Sequence, residues 1–325
     1  MTSSKRITCI GGGTGLYTLL SGLKRSWPDA HLSAVVAMTD SGGSTGRLRV
    51  EFGHLPPGDV RKCLVALSDA PAELSALMEH RYVGGNDEGL KGHVVGNLLL
   101  TACKEMAGDE YAAIELMGRI LHIKGKVYPV TLDDTHLLAH LTDGTIIEGE
   151  TRIDIPTVKR APIERLTLTR PANLFPKTRD ALLASDAIII GPGDLYTSVL
   201  PNLIISGMAD ALREASARGA RIIYIVNTMT KHGETDTYSA ADFVRRIQDA
   251  IGDAHLDVVL INDGTISQEQ RDAYAQERAY PVVEDIVNTA HKYQVLARDI
   301  VGKKAFARHD PDRLALAVRD AVLER

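Results

Sequence analysis

Cysteine is scarce in this chain: Cys9, Cys63 and Cys103 are the three among 325 residues. An odd number at wide spacing matches neither a disulfide framework nor a zinc ligand set, and it points to a reducing compartment. An excess of positive charge is also lacking, since 37 Lys and Arg face 42 Asp and Glu for a formal net charge of −5. Wrapping a nucleic acid needs a basic face, so no nucleic acid partner is expected, although a local basic pocket stays open. Long apolar runs are missing. Lys5 and Arg6 precede only residues 7–10 before Gly11, Gly12 and Gly13 interrupt, so no signal-peptide core is expected. No stretch nears the roughly 18 apolar residues of a membrane helix. The expectation is a soluble cytoplasmic protein without membrane insertion. The sequence also has no G-x-S-x-G elbow, no H-E-x-x-H and no nucleophile placed locally beside a base, so no catalytic residue is assigned.

What is present reads as an ordinary globular composition, 44% hydrophobic and 24% charged, without a polar low-complexity tract. The length allows one enlarged α/β domain or about two domains at roughly 150 residues each; a single domain over 1–325 is the reading adopted. Strand-length apolar runs at 6–10, 32–38, 187–190, 222–226 and 258–261 are nearly continuous, as a parallel sheet covered on both faces demands. Between them, 16–25, 60–67, 98–106, 111–121, 210–218, 240–251 and 313–323 carry apolar residues at helical spacing. The predicted fold is α/β, a Rossmann-like parallel sheet with helices on both faces. Two regions depart from this alternation. Residues 53–121 read as helix after helix, a helical elaboration. Residues 126–169 alternate β-favouring and polar residues around Asp143–Gly144, a hairpin signal, and predict an antiparallel β insertion.

The chemistry concentrates in the loops that follow the strands. Gly11, Gly12, Gly13, Thr14 and Gly15 come directly after the first strand and before a helix, where backbone N–H groups and the helix N-terminus favour a phosphate. A tight strand-to-helix turn is the plainer alternative. The dinucleotide fingerprint is not met, because Thr18 stands where its third glycine belongs, and the P-loop pattern is not met either. After the second strand, Thr39, Asp40, Ser41, Gly42, Gly43, Ser44 and Arg47 offer an acidic residue for a ribose hydroxyl or a metal ion and small residues for an anion nest. A surface turn with Asp40 as its Asx residue competes with that reading. In Pro56-Pro57-Gly58-Asp59-Val60-Arg61, Asp59 is available as an N-cap or a ligand, and Arg61 is placed to reach phosphate. His93 and Asn97, four apart, would share one helix face. Gly191, Pro192, Gly193, Tyr196 and Thr197 form a third loop after residues 187–190. Asn227, Met229, Thr230, Gly233, Glu234, Thr235 and Asp236 form a fourth, outside the carboxyl end of a strand, with Asp236 or Ser239 as an alternative cap.

Six ordered motifs, GGGTGL from Gly11, TDSGGSTGRLR from Thr39, PPGDVR from Pro56, GNLLL from Gly96, GPGDLYTSVLPNL from Gly191 and NTMTKHGETD from Asn227, resemble those of the YvcK, or gluconeogenesis factor, family. That family is related to the CofD 2-phospho-L-lactate transferases, and the resemblance runs from about Ile7 to Arg308-His309-Asp310. It implies a CofD-like, Rossmann-like fold that binds UDP-sugars, above all UDP-N-acetylglucosamine, with no cofactor required. It further implies a cytoplasmic protein needed for cell shape during gluconeogenic growth and linked to peptidoglycan synthesis proteins, including a penicillin-binding protein. A tyrosine and an arginine near the C-terminus affect nucleotide-sugar binding in that family. Arg308 matches the arginine by local pattern, and Tyr274 is the match for the tyrosine, with Tyr280 as its rival. Three positions depart from the family pattern: Ser41 replaces an acidic residue, Asp194 stands where serine is common, and Pro311 occupies the place of a phosphorylatable threonine.

The leading expectation is therefore a UDP-sugar-binding regulator without assigned turnover, in which the four loops and Arg308 line one cleft; homo-oligomers are compatible with the helical bulk. The alternative is a CofD-like transferase joining a phospholactyl group from a guanylylated donor to a deazaflavin, for which Asp40 and Asp59 would organise Mg2+. A nicotinamide-dependent dehydrogenase is a third reading, supported by fold analogy alone.

Overall fold

The computed structural model describes residues 4–84, 89–286, 292–303 and 306–324. Strand β1 (Arg6–Gly11) runs into helix α1 (Gly13–Ser26) and returns as β2 (His31–Val36), which lies parallel to β1 in the register Ile7 to Leu32. Helices α2 (Gly43–Phe52), α3 (Gly58–Leu67), α4 (Ala72–Glu79), α5 (Val95–Ala107) and α6 (Glu110–Ile120) follow; α3 to α6 form the expected helical elaboration over 53–121, whereas α2 begins inside the residues read as the second glycine loop. Among its described residues the only strand-like pairing is an isolated bridge from Arg81 to Val94.

The expected antiparallel insertion begins later than its sequence suggests. Residues Lys126–Pro129 form β3, which pairs parallel to β2 and completes an edge of the main sheet. Four residues with buried Val127 and Tyr128 carry too short a pattern to separate a parallel edge strand from the start of a hairpin. The antiparallel sheet itself is β4 (Leu137–Leu141), β5 (Ile146–Glu148) and β6 (Ile163–Leu168) in the order β5-β4-β6, with α7 (Glu150–Asp154) between β5 and β6. Its hairpin turns at Asp143–Gly144: the Thr145 N–H donates to Asp143 Oδ1 at 2.9 Å, and Gly144 has φ of 86°.

The chain then passes through α8 (Pro176–Leu183), β7 (Ala187–Ile190), a π-helical turn (Leu195–Val199), α9 (Leu200–Leu203), α10 (Met208–Ala217), β8 (Arg221–Ile225), α11 (Ala240–Ile251), β9 (Val258–Asn262), α12 (Gln268–Gln276), β10 (Gln294–Arg298) and α13 (Pro311–Leu323). Neither β10 nor α12 stands out in the sequence. Polar ends and a single buried residue, the central Leu296, mark β10 as an edge strand, and α12 buries Gln270 alone of its residues. Local chemistry nevertheless sets the helix starts. Ser239 and Asp242 form a capping box on α11, Ser267 and Gln270 another on α12, and Asp310 accepts from Asp312 and Arg313 ahead of α13, whose first residue is Pro311.

The seven parallel strands lie in the order β10-β9-β8-β7-β1-β2-β3. Every residue of β7 is buried, as are four of five in β8 and in β9. Such strands need cover on both faces. α1 packs with α3 and α13, while α10 packs with α8 and α11. The crossover through α1 leads from β1 toward β2, and the one through α10 leads the opposite way, from β7 to β8. Right-handed connections in opposite directions put these helices on opposite faces of the sheet. The strand order reverses between β1 and β7, which opens a crevice at their carboxyl ends, the place where open α/β sheets bind ligands. No helix among the described residues is long and apolar enough to cross a membrane, and all three cysteines are buried and unpaired.

Candidate functional site

A cavity of about 660 Å3 occupies that crevice. Its floor is the first glycine loop. β1 ends at Gly11, Gly12 precedes α1 in extended conformation, and no side chain caps the helix. The N–H groups of the first turn of α1 are thus left for solvent or a ligand, and the helix dipole adds partial positive charge there. Gly12, Gly13, Thr14 and Gly15 line the cavity, and Gly11 sits behind them, its carbonyl accepting from Asn202 Nδ2 at 3.2 Å. Gly15 is required by packing: a Cβ there would lie 2.4 Å from the Pro192 carbonyl oxygen and 2.9 Å from the Gly193 nitrogen. The first and third loops therefore touch backbone to backbone.

In the third loop Pro192 and Gly193 face the cavity, whereas Gly191, Tyr196 and Thr197 do not line it. Tyr196 and Thr197 are buried, and both donate to the fully buried Glu234, from the Tyr196 N–H at 3.0 Å and the Thr197 hydroxyl at 3.1 Å. Glu234 thus fixes the π-helical turn instead of facing a ligand. Burial, with the Asp194 carboxylate nearby, pushes its pKa up to about 8. In the fourth loop Asn227, Met229 and Thr230 line the cavity. Asn227 Nδ2 donates to the Gly193 carbonyl at 2.9 Å, and Thr230 exchanges two hydrogen bonds with the backbone of Tyr280. Thr228, Lys231 and His232 line the cavity too, whereas Gly233, Glu234, Thr235 and Asp236 do not. The Gly233 carbonyl accepts from Arg160, Thr235 Oγ1 accepts from the Lys231 N–H, and Asp236 accepts from Gly233 and His232. Ser239, not Asp236, caps α11.

The second glycine loop lies off the cavity. Residues 43–47 of it are the first turns of α2. Asp40 accepts from the Gly42 N–H at 2.8 Å, an Asx turn. Ser41 bonds Thr151 across to α7, and the Ser44 hydroxyl meets His93 Nδ1, the Val94 N–H and Asn97 Nδ2. His93 and Asn97 are joined through that hydroxyl, and His93 precedes α5 rather than sharing its face. Thr39 is buried with its hydroxyl unpartnered, Arg47 donates to the Lys91 carbonyl, and Gly43 has open space around it. Asp59 is not a cap; it lies in the first turn of α3 and pairs with Lys62 at 3.2 Å. It also backs the first loop, since a Cβ on Gly12 would lie 2.3 Å from Asp59 Oδ2. Burial and the neighbouring Asp59 charge raise the Asp40 pKa. Arg61 is buried against Gly96, its Nε without a hydrogen-bond partner.

The far wall comes from the C-terminal part of the chain. Tyr274 on α12 and exposed Arg308 both line the cavity, and Tyr280 does not. The Tyr274 ring meets the Phe306 ring edge-on at 5.5 Å, and the Arg308 guanidinium lies 5.6 Å from the centre of the Phe306 ring. Burial raises the Tyr274 pKa against an opposing hydrogen bond to Arg308. Several lining residues carry no signal in the sequence. Asp154, Ile155 and Pro156 arrive from the β insertion, Glu277 and Ala279 from beyond α12, and His309 from beside Arg308. Burial holds the His309 imidazole down at about 4, hence neutral. Lys231 bridges Asp154 and Asp194, the latter at 2.7 Å, in the wall next to the third loop.

Known proteins place this architecture. The family model described as 2-phospho-L-lactate transferase CofD matches residues 7–301. The protein named gluconeogenesis factor in Halalkalibacterium halodurans is 40% identical over 98% of this chain and 96% of its own length. The one so named in Bacillus subtilis is 38% identical over the whole of both chains. A crystal structure of a member of the UPF0052 family from Bacillus halodurans superposes with a TM-score of 0.91 at 38% identity, covering 98% of this chain and 100% of that one. The seven-stranded sheet, the glycine loops at its switch point and these matches lead to one assignment: the chain belongs to the CofD family, among its gluconeogenesis factors.

Proposed function

We propose that the cavity binds a UDP-sugar, with UDP-N-acetylglucosamine as the leading ligand, and that the protein works as a cytoplasmic regulator of cell-wall synthesis and cell shape under gluconeogenic growth. The observation that carries this reading is the uncapped N-terminus of α1, which opens on a cavity of about 660 Å3 that Arg308 and Tyr274 line from the other side. Free N–H groups and a guanidinium suit a diphosphate, and an aromatic ring suits a base. The volume falls within the roughly 300–1,000 Å3 of small-molecule sites. The name gluconeogenesis factor, carried by relatives that align along the whole chain, supports the growth condition. No cofactor is invoked for binding, and cell-wall synthesis proteins are the proposed partners.

Calorimetric titration with UDP-N-acetylglucosamine, beside GTP with Mg2+ and NAD, tests the reading. Saturable binding of the UDP-sugar is expected, and Arg308→Ala should weaken it by about 1.5–3 kcal/mol, the range for a hydrogen bond to a charged group. Absence of any UDP-sugar heat, with a response to GTP and Mg2+, would overturn it.

The CofD family model favours a second reading, a transferase that moves a phospholactyl group onto a deazaflavin. Asp40 and Asp59 fit Mg2+ chemically: they are hard oxygen donors, and burial together with the Asp59 charge raises the Asp40 pKa, a repulsion that a cation offsets. Bound there, Mg2+ would supply charge stabilisation for a phosphoryl centre. Magnesium-dependent product formation from a guanylylated phospholactate would decide for this reading.

A further inference from the structure

Asp154, Asp194 and Glu234 each offer a carboxylate oxygen within 4.8 Å of the others, a group that could hold a metal ion. The Lys231 ammonium already stands among them. Asp194 Oδ2 accepts from it at 2.7 Å, Asp154 accepts a second bond, and Glu234 Oε1 lies at 3.8 Å, outside hydrogen-bond reach. Glu234 has its oxygens engaged by Tyr196 and Thr197. Two of the three ammonium donors are therefore taken by residues that, like Lys231 itself, line the cavity. Lys231 and Arg308 are the permanently cationic side chains on that lining, against Asp154, Asp194 and Glu277. An anionic ligand thus enters a site whose acidic side chains outnumber its basic ones, and one of the two cations is already held by internal carboxylates.

The Asp194 side chain is 42% exposed, so water takes over its hydrogen bonds at small cost if the lysine leaves it. A diphosphate brings more charge than one carboxylate and binds lysine well as a point charge. We infer that Lys231 grips the diphosphate of the ligand and that Asp194 is an internal competitor for the same ammonium, so that this pair sets the affinity of the site. The inference rests on reading the cavity as a nucleotide diphosphate site.

Calorimetry with UDP, in EDTA so that no cation enters the carboxylate group, separates the alternatives. Lys231→Met is expected to weaken UDP about tenfold or more, the loss of one charge-assisted hydrogen bond. Asp194→Asn is expected to tighten UDP about threefold, a partly exposed charge pair being released. In the Lys231→Met background Asp194→Asn should have no further effect, and uridine, which carries no phosphate, should respond to neither change. Because Lys231→Met leaves carboxylates unpaired and can unsettle the fold, Asp154→Asn is the second variant: it frees the same ammonium from the other side and should also tighten UDP. An equal gain from Asp194→Asn with and without Lys231 would overturn the inference, since Asp194 would then act by general repulsion, and so would weakened UDP binding in both Asp variants. Wild-type protein that ignores both UDP and UDP-N-acetylglucosamine would instead overturn the diphosphate reading itself.

Discussion

Residues 11–15 and 39–47 are both rich in glycine, and both lead from a parallel strand into a helix. In the first, no side chain caps the helix and the cavity lies in front. In the second the helix start is equally uncapped, but Asp40 takes the Gly42 N–H, the Ser44 hydroxyl is shared by His93, Val94 and Asn97, and none of the loop's residues lines the cavity. Glycine content marks where backbones crowd. An uncapped helix start becomes a candidate ligand site only where the rest of the fold leaves a cavity in front of it.

The difference is broken most severely at Gly15. A branched side chain there drives into the Pro192 backbone, which has no rotamer with which to yield. Gly15→Val should cost about 3 kcal/mol or more of stability, the upper part of the range for overpacking, and remove UDP-sugar binding. Thermal unfolding and calorimetry on the same sample check both effects, and a stable variant with intact binding would mean that the two loops need not touch.

The second loop should respond in the opposite sense, losing stability without losing ligand. Asn97→Leu takes a donor from buried Ser44 and Thr45, at an expected cost of about 1–3 kcal/mol, with UDP-sugar affinity unchanged. Urea unfolding measures the first and titration the second. A loss of affinity larger than the loss of stability would bring the second loop into the site.

These contrasts bear on what sequence reading can reach. The buried strands β1, β2, β7, β8 and β9 announce themselves because a run such as Ala187–Ile190 has no polar face. The edge strands β3 and β10 do not: β3 opens on exposed Lys126 and ends in Pro129, and β10 has polar ends and buries Leu296 alone. Gly12–Gly15, Pro192, Gly193, Asn227 and Thr230, which line the cavity, are legible as candidates because strand ends converge by topology. Asp154 and Pro156 are not, since the packing of the β insertion against the fourth loop is a long-range contact, held by Arg160 on the Gly233 carbonyl, that no local pattern encodes. Nor does the motif at Asp59 tell a cap from a carboxylate paired with Lys62.

A pH series sharpens the comparison from the side of the second loop. Burial and the Asp40 charge push Glu150, on α7, up to about 8 from an ordinary 4.5. The folded chain therefore holds a proton that the unfolded chain gives up between these values. The associated stability is complete below about pH 4.5 and is lost as pH rises through about 8, at up to about 1.4 kcal/mol per pH unit for one proton. Glu150→Gln should flatten that fall between pH 5.5 and 8, as read by urea midpoints. An unchanged slope would place the titration elsewhere.

The smallest effect is expected at Gly43, and it discriminates most directly between the two loops. Its φ of 44° lies in the left-handed region, and no atom stands within 4 Å of where a Cβ would be. Alanine there meets only the backbone strain, about 1 kcal/mol, without a clash. If the second loop closes on itself, Gly43→Ala shifts the melting temperature slightly and leaves the titration with UDP-N-acetylglucosamine as it was. If the loop is instead a phosphate cradle, a methyl group placed in that open space blocks the ligand, and affinity falls while the fold holds. That result would move the diphosphate toward Asp40 and Asp59, and with it the balance toward magnesium-dependent transfer.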